Sequence, residues 1–347
     1  MTPVGPPLPW RRALVTGGAG FPGSALCERL LDAGVDVDCA DRADRAPRQA
    51  RVGHLADCPG FRFLPCHLAS PDSPVLLDGP YDVVLHLAWP DPGECRAHPL
   101  RALEAGSDGT RQALRIAHRD GARLLFASTS EVYGDPRTHP QREDYPGNVD
   151  PVGPHSLTAE SRRFAEALVT AHVAAHGADA GIVRLFSGYG PRMPAFEGHA
   201  VPTFIRQALA AEPLTITGDG SQTRCLCYVD DLVEGILAVA ASRSVRPVNV
   251  GGTQEMTVTD LARSVLDLTG SRSPLRFVDR PPGEPEHLRP DTTLARELLG
   301  WQPRVSWADG LKTTIAYFAA AAGRAERPHA AAGAHDRAGG SRRPARG

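Results

Sequence analysis

Along the first two-thirds of the chain, short apolar runs bounded by Gly, Asp or Pro alternate with longer segments of helical period. Residues 13–16, 35–40, 61–65, 81–87, 123–128 and 181–186 are the short runs and read as buried parallel strands. Residues 24–33, 100–119 and 156–176 are the helix-period segments between several of them. That alternation predicts an α/β fold, a doubly wound parallel sheet with helices packed on it. From residue 187 the pattern loosens into pieces punctuated by Pro and Gly, then predicted helices over 201–211, 230–241, 259–269 and 292–299. These pieces read as a smaller C-terminal lobe interleaved with the end of the sheet.

Composition narrows the function. The 347 residues carry 38 basic and 40 acidic side chains, a net charge of −2, so no overall field favours nucleic acid or an anionic membrane. No apolar run reaches the ~18 residues of a spanning helix. The Pro-rich residues 1–10 lack the charged and apolar regions of a secretion signal and read as a flexible arm. A cytoplasmic protein is expected. Cysteines at 27, 39, 58, 66, 95, 225 and 227 form no paired C-x-x-C motif, so they read as reduced core thiols and no metal is expected. Lys312 is the only lysine, so every other basic residue is arginine. Residues 323–347 are mostly Gly, Ala, Arg and Pro and read as a disordered tail.

Residues 13–16 run into Gly17-Gly18-Ala19-Gly20-Phe21-Pro22-Gly23 and then a predicted helix. Glycines at 17, 20 and 23 let the backbone turn tightly and approach a pyrophosphate at the positive end of that helix. Asp41 closes the second predicted strand, about 20 residues on. From there a carboxylate accepts from the adenosine ribose hydroxyls and repels a 2′-phosphate. NAD is the expected cofactor, with Arg42 the neighbour that pulls toward NADP.

The spacing G-x-x-G-x-x-G resembles that of the extended short-chain dehydrogenase/reductases that modify nucleotide sugars, the NAD-dependent epimerase/dehydratase family. Downstream runs sharpen the resemblance. Ala127-Ser128-Thr129-Ser130-Glu131-Val132-Tyr133-Gly134-Asp135, Gly147-Asn148-Val149-Asp150-Pro151, Tyr189-Gly190-Pro191-Arg192-Met193 and Gly218-Asp219-Gly220-Ser221-Gln222-Thr223-Arg224 are similar to the UDP-glucuronate decarboxylases. Tyr228-Val229-Asp230-Asp231 and Arg289-Pro290-Asp291 continue it, and the likeness spans residues 12–320. It implies a Rossmann-type NAD-binding domain over 11–186, its sheet completed by parts of 225–252, and a nucleotide-sugar-binding lobe over 187–322.

In that family NAD takes hydride from sugar C4, leaving a ketone β to the C6 carboxylate. Carbon dioxide departs, C5 is reprotonated and hydride returns to C4. The family's base is a Tyr lowered in pKa by a Lys four residues on, both on one helix face. Here those positions hold Thr158 and Arg162. A threonine hydroxyl titrates far above a phenol's ~10, so Thr158 can hold a water or bond the 4-oxygen but is no ready base. Arg162 can bind the nicotinamide ribose but cannot exchange protons as Lys does.

The resemblance also implies catalytic roles for Thr129, Ser130 and Glu131, and cofactor contacts from Phe21, Pro22, Leu87 and Ala88 beside the glycines, Asp41 and Arg42. It implies contacts to the UDP-sugar from Ser187, Arg192, Thr217, Arg224 and Arg289. A dehydratase needs an acid at 130, and an epimerase usually has a small hydroxyl residue at 131, so Ser130-Glu131 fits decarboxylation. Against these stand plainer roles: Glu131 capping a helix, Arg192 and Arg224 in surface salt bridges, His86 as a packed strand residue. The chain departs from the family at Gly106 (for Asn), His67 (for Asp), Ser187 (for Asn), Thr217 (for an aromatic) and Leu288 (for a basic residue). Three readings stand: a decarboxylase with an altered acid/base set that releases UDP-4-keto-pentose beside UDP-xylose, a non-catalytic NAD-binding homologue, and another nucleotide-sugar epimerase or dehydratase. Segments 100–119 and 156–176 resemble the helix pair by which such enzymes dimerise, so a homodimer is implied.

Overall fold

A computed structural model describes residues 7–42, 46–153, 156–194, 199–280 and 285–325. The chain opens with β1 (Arg12–Thr16), α1 (Gly23–Asp32), β2 (Asp36–Asp41), α2 (Ala46–Val52), β3 (Phe61–Pro65), α3 (Ser73–Leu76) and β4 (Val83–His86). It continues through α4 (Pro92–Ala97), α5 (Leu100–Glu104), a π-helical turn (Ala105–Gly109), α6 (Thr110–Asp120), β5 (Arg123–Thr129), a 3₁₀ turn (Ser130–Tyr133), α7 (Ser156–His176) and β6 (Ala180–Leu185). The rest contributes β7 (Gly188–Tyr189), α8 (Ala200–Leu209), β8 (Leu214–Thr217), β9 (Thr223–Cys225), β10 (Cys227–Tyr228), α9 (Val229–Ala241) and β11 (Val248–Val250). It ends with β12 (Glu255–Thr257), α10 (Val258–Thr269), β13 (Leu275–Val278), β14 (His287–Leu288), α11 (Thr293–Leu299) and α12 (Trp307–Ala325).

Seven strands make one parallel sheet in the order β11-β6-β5-β4-β1-β2-β3. The chain winds outward through β2 and β3, then returns to lay β4 against the other side of β1. The crevice at that reversal, past the carboxyl ends of β1 and β4, is where such sheets bind ligands. Because strand side chains alternate between faces, each strand feeds two cores. Ala13, Val15, Val83, Leu85, Leu125 and Ala127 face a large core shared with α1, α8, α9 and α10. Leu14, Val84, Leu124 and Phe126 face a second core under α6 and α7. The small lobe therefore packs into the same apolar body as one face of the sheet.

One expectation is refined and two are corrected. The helix expected over 100–119 runs unbroken from Leu100 to Asp120, with a π turn at Ala105–Gly109 inside it. At Gly106 a Cβ would stand 2.5 Å from the Ser161 carbonyl of α7, so the two helices meet backbone to backbone and only glycine fits. The arm over 1–10 is tied down at its end, because the Trp10 indole is buried and Leu8 packs against the core, while residues 1–6 lie outside the described residues. Residues 323–325, expected in a disordered tail, belong instead to α12, which runs to Ala325 with Leu311 and Ile315 buried; the rest of that expected tail, 326–347, lies outside the described residues. Among the described residues no helix is long and apolar enough to cross a membrane.

Candidate active site

The turn between β1 and α1 is built for close approach. Gly17 has φ +72°, and a Cβ on it would lie 2.7 Å from the Ala88 backbone. A Cβ on Gly23 would strike the Gly17 carbonyl, and one on Gly20 would stand 3.0 Å from the same oxygen. Gly20 N–H donates to Gly17 O at 2.9 Å, closing the loop and presenting the helix start to the crevice. Pro22 caps α1, and Phe21 lies against Gly188 of β7. Leu87 and Ala88 leave β4 beside this turn: Leu87 N–H donates to the Thr16 carbonyl at 3.0 Å and Ala88 N–H to the Thr16 hydroxyl at 3.4 Å. Asp41 ends β2 almost fully buried; its Oδ2 accepts from Ala19 N–H at 3.1 Å and its Oδ1 from Arg42 N–H at 2.8 Å. A cleft opens here, lined by Asp41, Arg42, His67, Leu68, Ala88 and Trp89 among others.

The second corner lies at the end of β5. Thr129 caps the 3₁₀ turn, accepting from Glu131 N–H at 3.3 Å, and its hydroxyl donates to Glu131 Oε2 at 3.3 Å. Ser130 is buried while Glu131 is exposed. Thr158 and Arg162 share one face of α7, four residues apart. Arg162 Nη1 donates to the Ala127 carbonyl of β5 at 2.6 Å, and the guanidinium stacks 4.1 Å from the Trp89 ring centroid. Burial pulls the Arg162 pKa down to about 10, opposed by the nearby negative charge of Glu131. It remains cationic at neutral pH. Burial, then Glu131, pushes the neighbouring Cys95 thiol up to about 11, so it is no nucleophile. His86 is a packed strand residue: its ring lies 2.8 Å from the Thr16 hydroxyl and 3.3 Å from that of Thr110. Burial, then Arg162, takes it down to about 3.

Three side-chain donors around this corner are buried with no hydrogen-bond partner among the described residues: Arg162 Nε, Trp89 Nε1 and Ser128 Oγ. A buried donor without an acceptor costs ~1–3 kcal/mol, so such a group is one that a bound molecule can satisfy.

In the lobe, β9 is flanked by β12 antiparallel and β14 parallel. That register sets Arg224 opposite Met256 and Leu288, with Arg289 directly after β14. Arg224 Nη1 donates to the Thr223 carbonyl at 2.8 Å, and Arg289 N–H to Gln141 Oε1 at 2.7 Å. Leu288 is buried, which accounts for an apolar residue where the family has a base. Ser187 holds β10 through its carbonyl, and Thr217 accepts Gln222 Nε2 at both oxygens. Arg192 is placed differently from Arg224 and Arg289: its Nη2 donates to Glu28 Oε2 at 2.6 Å, and Nη1 lies 3.3 Å from His54. In this structure it has the salt-bridging role.

Residues 13–251 match the NAD dependent epimerase/dehydratase family. The chain belongs to this family. It is 40% identical over 309 residues to UDP-glucuronic acid decarboxylase 1 of Danio rerio, covering 89% of this chain and 72% of that one. It is 39% identical to UDP-glucuronic acid decarboxylase 4 of Arabidopsis thaliana, covering 88% and 68%. Among solved structures it is similar to UDP-glucuronic acid 4-epimerase from Bacillus cereus in complex with UDP-glucuronic acid and NAD, with TM-score 0.79, 28% identity, and 88% and 98% coverage.

The cofactor of this epimerase/dehydratase is NAD. Its residues fit that group: a cradle where any Cβ would collide, a carboxylate at the end of β2, and orphaned donors at the far end of the crevice. Sequence reasoning missed Trp89 and Glu94, while Cys95 is the buried thiol it expected. The one available signal was a bulky Trp89 just past a predicted strand, where a loop rarely spends an indole without packing it.

Proposed function

We propose that this chain is an NAD-dependent UDP-glucuronate decarboxylase that works without the Tyr–Lys pair and completes the final reduction poorly. The observation that carries it is the Ser130-Glu131 step at the end of β5, with the Glu131 carboxylate in the field of the buried Arg162 cation. The relatives named UDP-glucuronic acid decarboxylase support the substrate. Bound in the crevice, NAD supplies a hydride acceptor for sugar C4 and the hydride for its return. The turn Gly17–Gly23 and Asp41 hold the pyrophosphate and adenosine ribose, and Arg162 the nicotinamide ribose. Arg224 and Arg289 pair with the substrate's anionic groups.

Ser130 orients the sugar. Glu131 takes the 4-hydroxyl proton directly or through a water that Thr158 holds. The ketone then lies β to the carboxylate; the C5–C6 bond breaks, carbon dioxide leaves, and its electron pair moves into the ketone oxygen. The Arg162 charge stabilises that oxyanion. A proton relayed by Glu131 returns to C5. The last step needs a proton on the 4-oxygen as hydride arrives at C4. Glu131 has by then spent its proton on C5 and is a carboxylate, and neither Thr158 nor Arg162 gives a proton readily at neutral pH, so UDP-4-keto-pentose escapes beside UDP-xylose. We propose in addition that the chain works as a homodimer through α5 and α7.

The test is carbon dioxide release from carboxyl-labelled UDP-glucuronate by the purified protein, with the nicotinamide redox state read alongside. Label released together with some accumulated NADH is the expected result. No release would overturn the proposal in favour of a non-catalytic NAD-binding homologue or another nucleotide-sugar epimerase or dehydratase.

A further inference from the structure

The cleft at the end of β2 carries two opposed signals for the dinucleotide. Asp41, the carboxylate at the place where such sheets meet the adenosine ribose, accepts from the Ala19 and Arg42 backbone N–H groups. Arg42, the next residue, is of the type that receives a 2′-phosphate at this place in such sheets. Its guanidinium is bound across the cleft, where Nη1 donates to Glu94 Oε1 from α4. Arg101 Nη1 of α5 donates to the same oxygen at 2.7 Å. The Glu94 side chain is 2% exposed and that of Arg42 19%. The Glu94 backbone is fixed as well, its N–H donating at 2.7 Å to Asp91, the cap of α4. A buried carboxylate held between two guanidiniums is hard to displace, because uncovering it would leave its charge unpaired.

We propose that Glu94 is the positioning residue that makes this chain choose NAD over NADP, by binding Arg42 so that it cannot meet a 2′-phosphate. The phosphate would then face the Asp41 carboxylate with its natural counter-charge already neutralised. This rests on the family's cofactor and not on the sugar chemistry, so a chain that decarboxylates nothing would still show it.

The experiment is calorimetric titration of the full chain with NAD⁺ and with NADP⁺, for wild type, Glu94→Gln, and Glu94→Gln combined with Arg42→Ala. Glu94→Gln keeps the shape and removes the negative charge that draws Arg42 to Glu94. NADP⁺ should bind about 10-fold tighter or more, the scale of one charge-assisted hydrogen bond, while NAD⁺ changes by less than about 3-fold. The gain should vanish in the double variant, since it acts through Arg42. Equal weakening of both dinucleotides would show that Glu94 only supports the fold, and a gain that survives loss of Arg42 would also overturn the proposal. Should Glu94→Gln fail to fold, Glu94→Asp decides. Shorter by a methylene, it keeps a charge between the arginines but cannot reach both, so NADP⁺ must tighten measurably or the proposal fails.

Discussion

At Arg162, burial and charge pull in opposite directions. Removal from water takes its pKa down to about 10, yet the guanidinium still holds its proton at any physiological pH. A lysine starts from ~10.4, so the same burial would carry it toward neutrality, where it could exchange protons. On the function proposed above, an arginine here preserves a charge without acting as a proton shuttle. Glu131 is then the proton carrier we propose for the corner, which gives a kinetic signature. Glu131→Gln should lower kcat by ~10²-fold or more with little change in KM, because it alters proton traffic and not the grip on UDP. Arg224→Ala should chiefly raise KM. A kcat of Glu131→Gln within a factor of about two of wild type would return Glu131 to a plain role in the first turn after β5.

His86 joins three elements, with its ring between Thr16 of β1 and Thr110 of α6. Its folded pKa of about 3 lies below the ordinary ~6.5 of the unfolded chain, so between those values only the unfolded state takes up a proton. The stability this neutral ring contributes is present above ~6.5 and is lost as pH falls, at up to ~1.4 kcal/mol per pH unit. His86→Asn should therefore lose less stability than wild type between pH 7 and pH 5, a difference of ~2 kcal/mol readable from urea midpoints. Identical losses would mean His86 is protonated in the fold.

The elements also show what the sequence could reveal. The sheet, the glycine turn and Asp41 were legible because strand runs, φ-permissive glycines and the strand-to-carboxylate spacing are local signals. The shared helix face of Thr158 and Arg162 was legible for the same reason, since residues four apart on one helix are neighbours. The Arg42–Glu94 pair, 52 residues apart, and the Trp89–Arg162 stack were not, because only the crossover that brings β4 beside β1 puts them together. The close approach of Gly106 to the Ser161 carbonyl escaped because that carbonyl lies on another helix.

On the scale of the whole molecule, α5 and α7 pack together and leave Leu100 at 68%, Leu103 at 42% and Phe164 at 50% exposure. An apolar surface of this kind on adjacent helices is what a two-fold helix-bundle interface would cover. Leu103→Asp with Phe164→Asp should convert a dimer to a monomer by light scattering, with NAD binding retained. A wild type that is already monomeric would dismiss the interface. The small lobe shares the large core with the sheet, so the lobe's strands and the cofactor crevice are held by one apolar body. The outcome of turnover then rests on the proton available to the 4-oxygen. The decisive measurement is the ratio of UDP-4-keto-pentose to UDP-xylose made from UDP-glucuronate by wild type and by Thr158→Tyr with Arg162→Lys, read by mass spectrometry. A missing acid/base group costs ~10²–10⁴ in its step, so the wild type should release a substantial share of ketone and the double variant should shift the mixture to UDP-xylose. A wild type that makes UDP-xylose alone at an ordinary rate would contradict the account, because some other residue would then be protonating the 4-oxygen.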